Sequence, residues 1–136
     1  MALRKNAKLE LLKRVPLFAD CSKRELDEVA KIADELDFRE GKVLTREGAA
    51  GREFFVIVEG TAEATQGRKK LRTMSDGDFF GEISLITRLP RTATVTTVSP
   101  VRALVVTDRS FRRLLESDAQ IQRKVLTALG ERLDVT

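Results

Sequence analysis

From residue 38 to residue 107 the chain is cut into short β-prone runs, at 42–45, 53–59, 61–65, 70–74, 78–80, 92–98 and 101–107, and turns separate them. Gly41, Gly48, Gly51, Gly60, Gly67 and Gly77 fall in the gaps, and Ser99-Pro100 marks a further turn. Short strands at this spacing point to an antiparallel roll or barrel rather than a parallel sheet.

Helical periods flank this region. Leu9, Leu11 and Leu12 make a short apolar patch that Val15-Pro16-Leu17-Phe18 interrupts. Ser22 and Glu25 have the spacing of a capping box, and Leu26, Val29, Ala30, Ile32, Ala33 and Leu36 continue as an apolar stripe. Helical spacing returns at Asp108, where Phe111, Leu114 and Leu115 share a face. Ser117 and Gln120 are spaced as a second capping box, opening a segment with Ile121, Val125, Leu126, Leu129 and Leu133 on one side. Arg123, Lys124, Glu131 and Arg132 lie largely away from that stripe. With 136 residues, 42% of them hydrophobic, the chain can bury one core. The expectation is a single domain over 1–136, mainly β with flanking helices: N-terminal helices over 1–37, the roll over 38–107 and C-terminal helices over 108–136.

The loop from Phe80 to Ala93, Phe-Gly-Glu-Ile-Ser-Leu-Ile-Thr-Arg-Leu-Pro-Arg-Thr-Ala, carries the chemistry. Gly81 lets backbone approach a ligand closely, and the run after it can open a short helix whose free N–H groups favour an anion. Arg91 brings a planar guanidinium that grips two phosphate oxygens at once, and Glu82 is an acceptor-only carboxylate suited to neutral sugar hydroxyls. Pro90 and the strand-like run after Arg91 set that arginine on a stiff junction. A nucleotide presents phosphate and sugar side by side. The plain alternative is a surface turn in which Glu82 pairs with Arg91, which leaves the glycine, the proline and the flanking apolar pattern as coincidence.

These residues resemble the phosphate-binding cassette of the cyclic-nucleotide-binding domain family, whose pattern runs F-G-E-hydrophobic-small-L-hydrophobic and then P-R-small-A-T-V. The order of helices, short strands and helices extends the resemblance over nearly the whole chain, and implies an antiparallel β-roll of jelly-roll type with the cassette at 80–93. It implies that Glu82 holds the ribose 2′-hydroxyl and Arg91 the cyclic phosphate. Gly81 and backbone N–H groups near Ile83, Ser84 and Thr92 complete the anion site. By the same resemblance Ala64 and Leu71 line the base from the strands, and Arg132 and Thr136 touch it from the final helix. That helix reports occupancy in the family. It is expected to pass the signal to a partner domain or protein, and to pair two subunits.

Composition narrows the rest. The chain has no histidine, which excludes Cys–His and Ser–His–Asp catalysis and any histidine-based metal site. The single cysteine, Cys21, cannot form an internal disulfide. Asp76-Gly77-Asp78 reads first as a turn rather than as a carboxylate cluster with Glu82, and Gly41-Lys42 lacks the rest of an ATP-type loop. The expectation is therefore no enzyme, no metal and no resident cofactor. The net charge of +4 is spread over helices that alternate with acids, and tyrosine and tryptophan are absent, so direct nucleic-acid contact is not expected. No run of about 18 apolar residues could span a membrane, and the first residues lack a secretory stretch, which points to the cytoplasm. Thr92 follows the arginine, where threonine is frequent in cyclic-GMP sites, but bacterial cyclic-AMP sensors carry it too. The run from Pro90 to Val95 and the final Thr136 look bacterial, which favours cyclic AMP with cyclic GMP as the alternative. A second reading keeps the fold as an interaction or dimerisation module without nucleotide; retention of both Glu82 and Arg91 weighs against it.

Overall fold

The computed structural model describes residues 3–81 and 89–133, with the side chains of Leu129 and residues 131–133 left aside. Helix α1 (Lys5–Lys13), a 3-10 turn (Pro16–Phe18) and α2 (Lys23–Lys31) precede the strands. These are β1 (Asp34–Phe38), β2 (Val43–Thr45), β3 (Glu53–Glu59), β4 (Ala62–Gln66), β5 (Lys69–Met74), β6 (Phe79–Phe80), β7 (Thr94–Thr97) and β8 (Val101–Thr107). Helices α3 (Asp108–Ser117) and α4 (Ala119–Leu133) follow. The strands form two four-stranded sheets, in the orders β1-β8-β3-β6 and β2-β7-β4-β5. Every pairing is antiparallel, so the architecture is the expected roll with helices at both ends of the chain, built as two open sheets.

Two apolar clusters hold these layers. Between the sheets, Ile57, Val101 and Ala103 meet Ala62, Ala64, Met74 and Val95. On the other side of the first sheet, Phe54, Val56, Leu104 and Val106 meet residues of every helix, among them Leu12, Phe18, Leu26, Phe111 and Ile121. Successive residues of a strand point to opposite faces. The continuous apolar runs Phe54 to Ile57 and Ala103 to Val106 are therefore what a strand buried on both faces requires.

The N-terminal segment differs from expectation after Lys31. The stripe running to Leu36 does not continue the helix: α2 ends at Lys31, and Asp34–Phe38 pairs with β8 as an edge strand. Sheet pairing overrides the helical spacing because β8 supplies partners for both the backbone and the acids. Arg102 lies opposite Asp37, donates from Nε to its carboxylate at 2.9 Å, and reaches Glu35 at 3.5 Å. The first capping box forms as expected, with Ser22 accepting from the Glu25 N–H at 3.2 Å and Glu25 accepting from the Ser22 N–H at 2.7 Å. At the second site the cap is Asp118, whose Oδ1 accepts from the N–H groups of Gln120 and Ile121 at 3.1 Å, while the Ser117 hydroxyl donates to the Leu114 carbonyl. On α4 the buried face is Ile121, Val125 and Ala128; Leu126 is 48% exposed and belongs to the other side.

Helix α4 is also fastened by charge. The Glu25 carboxylate, only 3% exposed, accepts from Lys124 Nζ at 2.6 Å. The Lys124 bond and the Ser22 N–H together hold the Glu25 carboxyl down at about 2, against the cost of burial. A carboxyl depressed in the fold stabilises it above the unfolded value and loses that contribution as pH falls toward the folded one. Lys124→Ala is expected to destabilise the domain by about 3 kcal/mol, the lower end for stranding a buried charge because Lys124 is itself partly exposed. Denaturant titrations should also show a shallower loss of stability between about pH 5 and pH 2 in the variant than in the wild type.

Candidate functional site

The cassette begins where β6 ends, and β6 is held by its two phenylalanines facing opposite ways. Phe79 packs edge-on to Phe54 on the helical side, with ring centroids 6.5 Å apart. Phe80 stacks on Phe55 at 4.8 Å and packs against the cluster between the sheets. A two-residue strand is thereby fixed on both faces, and Gly81 follows it at φ 89°, a conformation that favours glycine. A Cβ at Gly81 would collide with Arg91 Nη1 and stand 2.8 Å from the Glu53 carbonyl oxygen. The glycine is required by both conformation and space.

Arg91 arrives at this point from the far end of the cassette. Pro90 forms an isolated bridge with Ala50, the Arg91 N–H donates to the Ala49 carbonyl at 2.9 Å, and the Gly48 N–H donates to the Arg91 carbonyl at 2.8 Å. The stiff junction expected of Pro90 is thus made by the β2–β3 loop. The guanidinium lies over Gly81 and donates through Nη2 to the Glu53 carbonyl. Burial lowers its pKa, and the Glu53 carboxylate acts in the opposite direction. Its hydrogen-bond partner among the described residues, the Glu53 carbonyl, is neutral, and a guanidinium has five N–H donors in a planar fork of the kind that suits a phosphate.

Thr92 is exposed, and its carbonyl accepts from Gln66 Nε2 at 3.1 Å, which ties the cassette's exit to the end of β4. Ala64 pairs with Val95 across β4 and β7 and is 6% exposed. Leu71, one strand further along on β5, is 45% exposed and sits at a register shift. Gly81 and Arg91 are therefore brought into contact, and Ala64, Leu71 and Thr92 lie on the neighbouring strands and their margins. Glu82, Ile83, Ser84 and Thr136 lie outside the described residues, as does the short helix expected after Gly81. Arg132 belongs to α4, but its side chain is outside the description.

The partners that position Arg91, namely the Glu53 carbonyl and the backbone of Gly48 and Ala49, were not legible in the sequence. Backbone groups carry no residue-type signal, and these lie some forty positions upstream. Among the described residues no group of three or more His, Cys, Asp or Glu side chains is placed to hold a metal ion. No described helix is long and apolar enough to cross a membrane. Cys21 is buried, and that burial first, then the Glu25 charge, pushes its thiol up to about 11, which makes it a packing residue rather than a nucleophile.

Comparison with known proteins agrees with this geometry. Residues 35–118 match the family described as cyclic nucleotide-binding domain, and the chain belongs to that family. It is 39% identical over 118 residues to a cAMP-dependent protein kinase regulatory subunit of Mycosarcoma maydis, covering 78% of this chain and 22% of that protein. It is 36% identical over 127 residues to cGMP-dependent protein kinase, isozyme 1, of Drosophila melanogaster, covering 85% and 16%. The chain thus spans a small part of each of these relatives. Among solved structures, the N-terminal domain of a transcriptional regulator from Streptomyces coelicolor A3(2) superposes with a TM-score of 0.83 at 28% identity, over 90% of this chain and 91% of that one. The domain is accordingly of a cyclic-nucleotide-binding, regulatory type.

Gly81→Ala is expected to cost about 1–3 kcal/mol of stability through backbone strain. It should also displace Arg91, which calorimetric titration with cyclic nucleotide would register as a large loss of affinity.

Proposed function

We propose that this domain is a cyclic-nucleotide sensor whose cassette seats the ligand and whose final helix passes occupancy to a partner domain or protein. The observation that carries the reading is the Arg91 guanidinium laid over Gly81 with a backbone carbonyl for a partner. In this proposal Arg91 holds the cyclic phosphate, together with the backbone at Gly81, Ile83, Ser84 and Thr92. Glu82 takes the ribose 2′-hydroxyl, and Ala64, Leu71, Arg132 and Thr136 surround the base. The domain performs no catalysis, acts in the cytoplasm, and needs no cofactor beyond its ligand.

A ligand moves a helix only by favouring one arrangement over another, and a coupling of about 1–3 kcal/mol corresponds to roughly 5- to 150-fold in the linked activity. The exposed Leu126 on α4 suits a contact with a second copy of the chain, which is the proposed route to a homodimer.

Arg91→Ala is expected to weaken nucleotide binding by about 2–5 kcal/mol, since the ligand charge loses its partner. Unchanged affinity by calorimetric titration would overturn the assignment. Glu82→Ala should weaken binding of the ribose nucleotide and leave the 2′-deoxy analogue nearly unaffected; equal losses would remove Glu82 from the sugar.

A further inference from the structure

Two edge strands of the roll carry opposite charge. β1 closes one end of the first sheet, and β5 closes one end of the second. β1 begins Asp34-Glu35-Leu36-Asp37, and β5 begins Lys69-Lys70-Leu71-Arg72 with Arg68 just before it. Each is a leucine set among charges of one sign. On β1, Asp34, Leu36 and Asp37 are exposed, Leu36 to 44%; on β5 every residue from Lys69 to Thr73 is exposed, Leu71 to 45%. Glu35 is partly buried, bound to Arg102 and to the Leu3 N–H, and adds its charge to the acidic edge. Asp37 also meets Arg102, and Lys70 meets Glu63 at 3.2 Å, but ion pairs this exposed contribute little and are readily exchanged. The two strands do not meet within one molecule. Arg72 donates from Nη2 to the Phe79 carbonyl at 3.4 Å, which places β5 beside β6, and β6 closes the end of the first sheet opposite to β1.

We propose that β1 of one molecule docks on β5 of a second copy of the chain, head to tail, joining the first sheet of one molecule to the second sheet of the next. An edge strand offers a row of backbone N–H and C=O groups to any strand that reaches it, and like charges along it turn away a copy of itself. β1 against β1 sets acid on acid, and β5 against β5 sets base on base. Only β1 against β5 joins opposite charges. With Leu36 opposite Leu71, parallel strands place Asp34, Glu35 and Asp37 opposite Lys69, Lys70 and Arg72, one for one. Antiparallel strands place Asp37 opposite Lys70 and Glu35 opposite Arg72. Either direction seats leucine on leucine at the centre with countercharges beside it. Such a contact uses a different patch on each side, so a growing assembly keeps one edge of each kind open and runs past two copies into a ring or a chain. It is separate from the pairing through α4 proposed above and does not depend on nucleotide binding.

The test is sedimentation velocity of the 136-residue chain over a range of concentrations, at about 0.01 M and about 1 M salt, where charges are screened over roughly 30 and 3 Å. Nucleotide is left out because Leu71 also belongs to the proposed base site. At low salt the average mass should climb with concentration beyond two copies, and at high salt that growth should be lost. Asp34→Lys with Asp37→Lys leaves both edges basic, and Lys69→Glu with Lys70→Glu leaves both acidic. Each variant alone should assemble no further than two copies, while an equimolar mixture of the two should regain the larger species. The second variant also removes the net charge of +4, so general repulsion predicts that it associates more, where the edge contact predicts less. A wild type that stays a single chain, or stops at a dimer indifferent to salt, would overturn the proposal even where a variant folds poorly. A mixture of two folded variants that gains nothing over its components would overturn it as well.

Discussion

The pairing of β3 with β8 is the constraint on which the rest of the molecule depends. Phe54, Val56, Leu104 and Val106 face the helices from this pair, while Ile57, Val101 and Ala103 face the second sheet, so both apolar clusters share one wall. A residue pair fully buried on both faces leaves no solvated side to absorb a change in register, because a slip by one position would exchange the two sets. The other strands inherit their positions from it: β1 adds to β8, and β6 adds to β3 through the pairs Phe55↔Phe80 and Val56↔Phe79. The site sits at the free end of that short strand. Its precision comes from the stiffest part of the fold although it is itself on the rim.

The strands at 53–59 and 101–107 were legible to the residue because their apolar runs are bounded by charge and turn residues. β1 was not, since Leu26 through Leu36 keep a helical spacing and nothing local reveals that Arg102, more than sixty positions away, pairs with Asp37 and Glu35. The ambiguity on α4 is of the same kind. Leu126 and Ala128 are each compatible with a stripe that begins Ile121, Val125, and only the packing decides which one turns inward. In the site, Gly81 and Arg91 were readable because their residue types are demanded by chemistry and by space. The Glu53 carbonyl that holds Arg91 was not, because a backbone group carries no residue-type signal and it lies in β3.

A physical connection between the cassette and the C-terminal helices is built from aromatic rings. Phe79, two residues before Gly81, packs against Phe54; Phe54 packs against Phe18 at 6.1 Å, and Phe18 against Phe111 at 6.0 Å. Phe18, Phe54 and Phe111 are completely buried, and Phe18 stands in the 3-10 turn that α4 contacts. Close-packed rings transmit displacement because a gap of even a fraction of an ångström forfeits contact energy on every atom facing it. Against this, Lys124 and Glu25 hold the first half of α4 to α2 with a bond that is costly to break in a buried setting. The beginning of α4 is thus anchored through Ile121, Val125 and Lys124. The carboxylate of Glu25, shared between the cap of α2 and the lysine of α4, is the joint that makes those elements a unit.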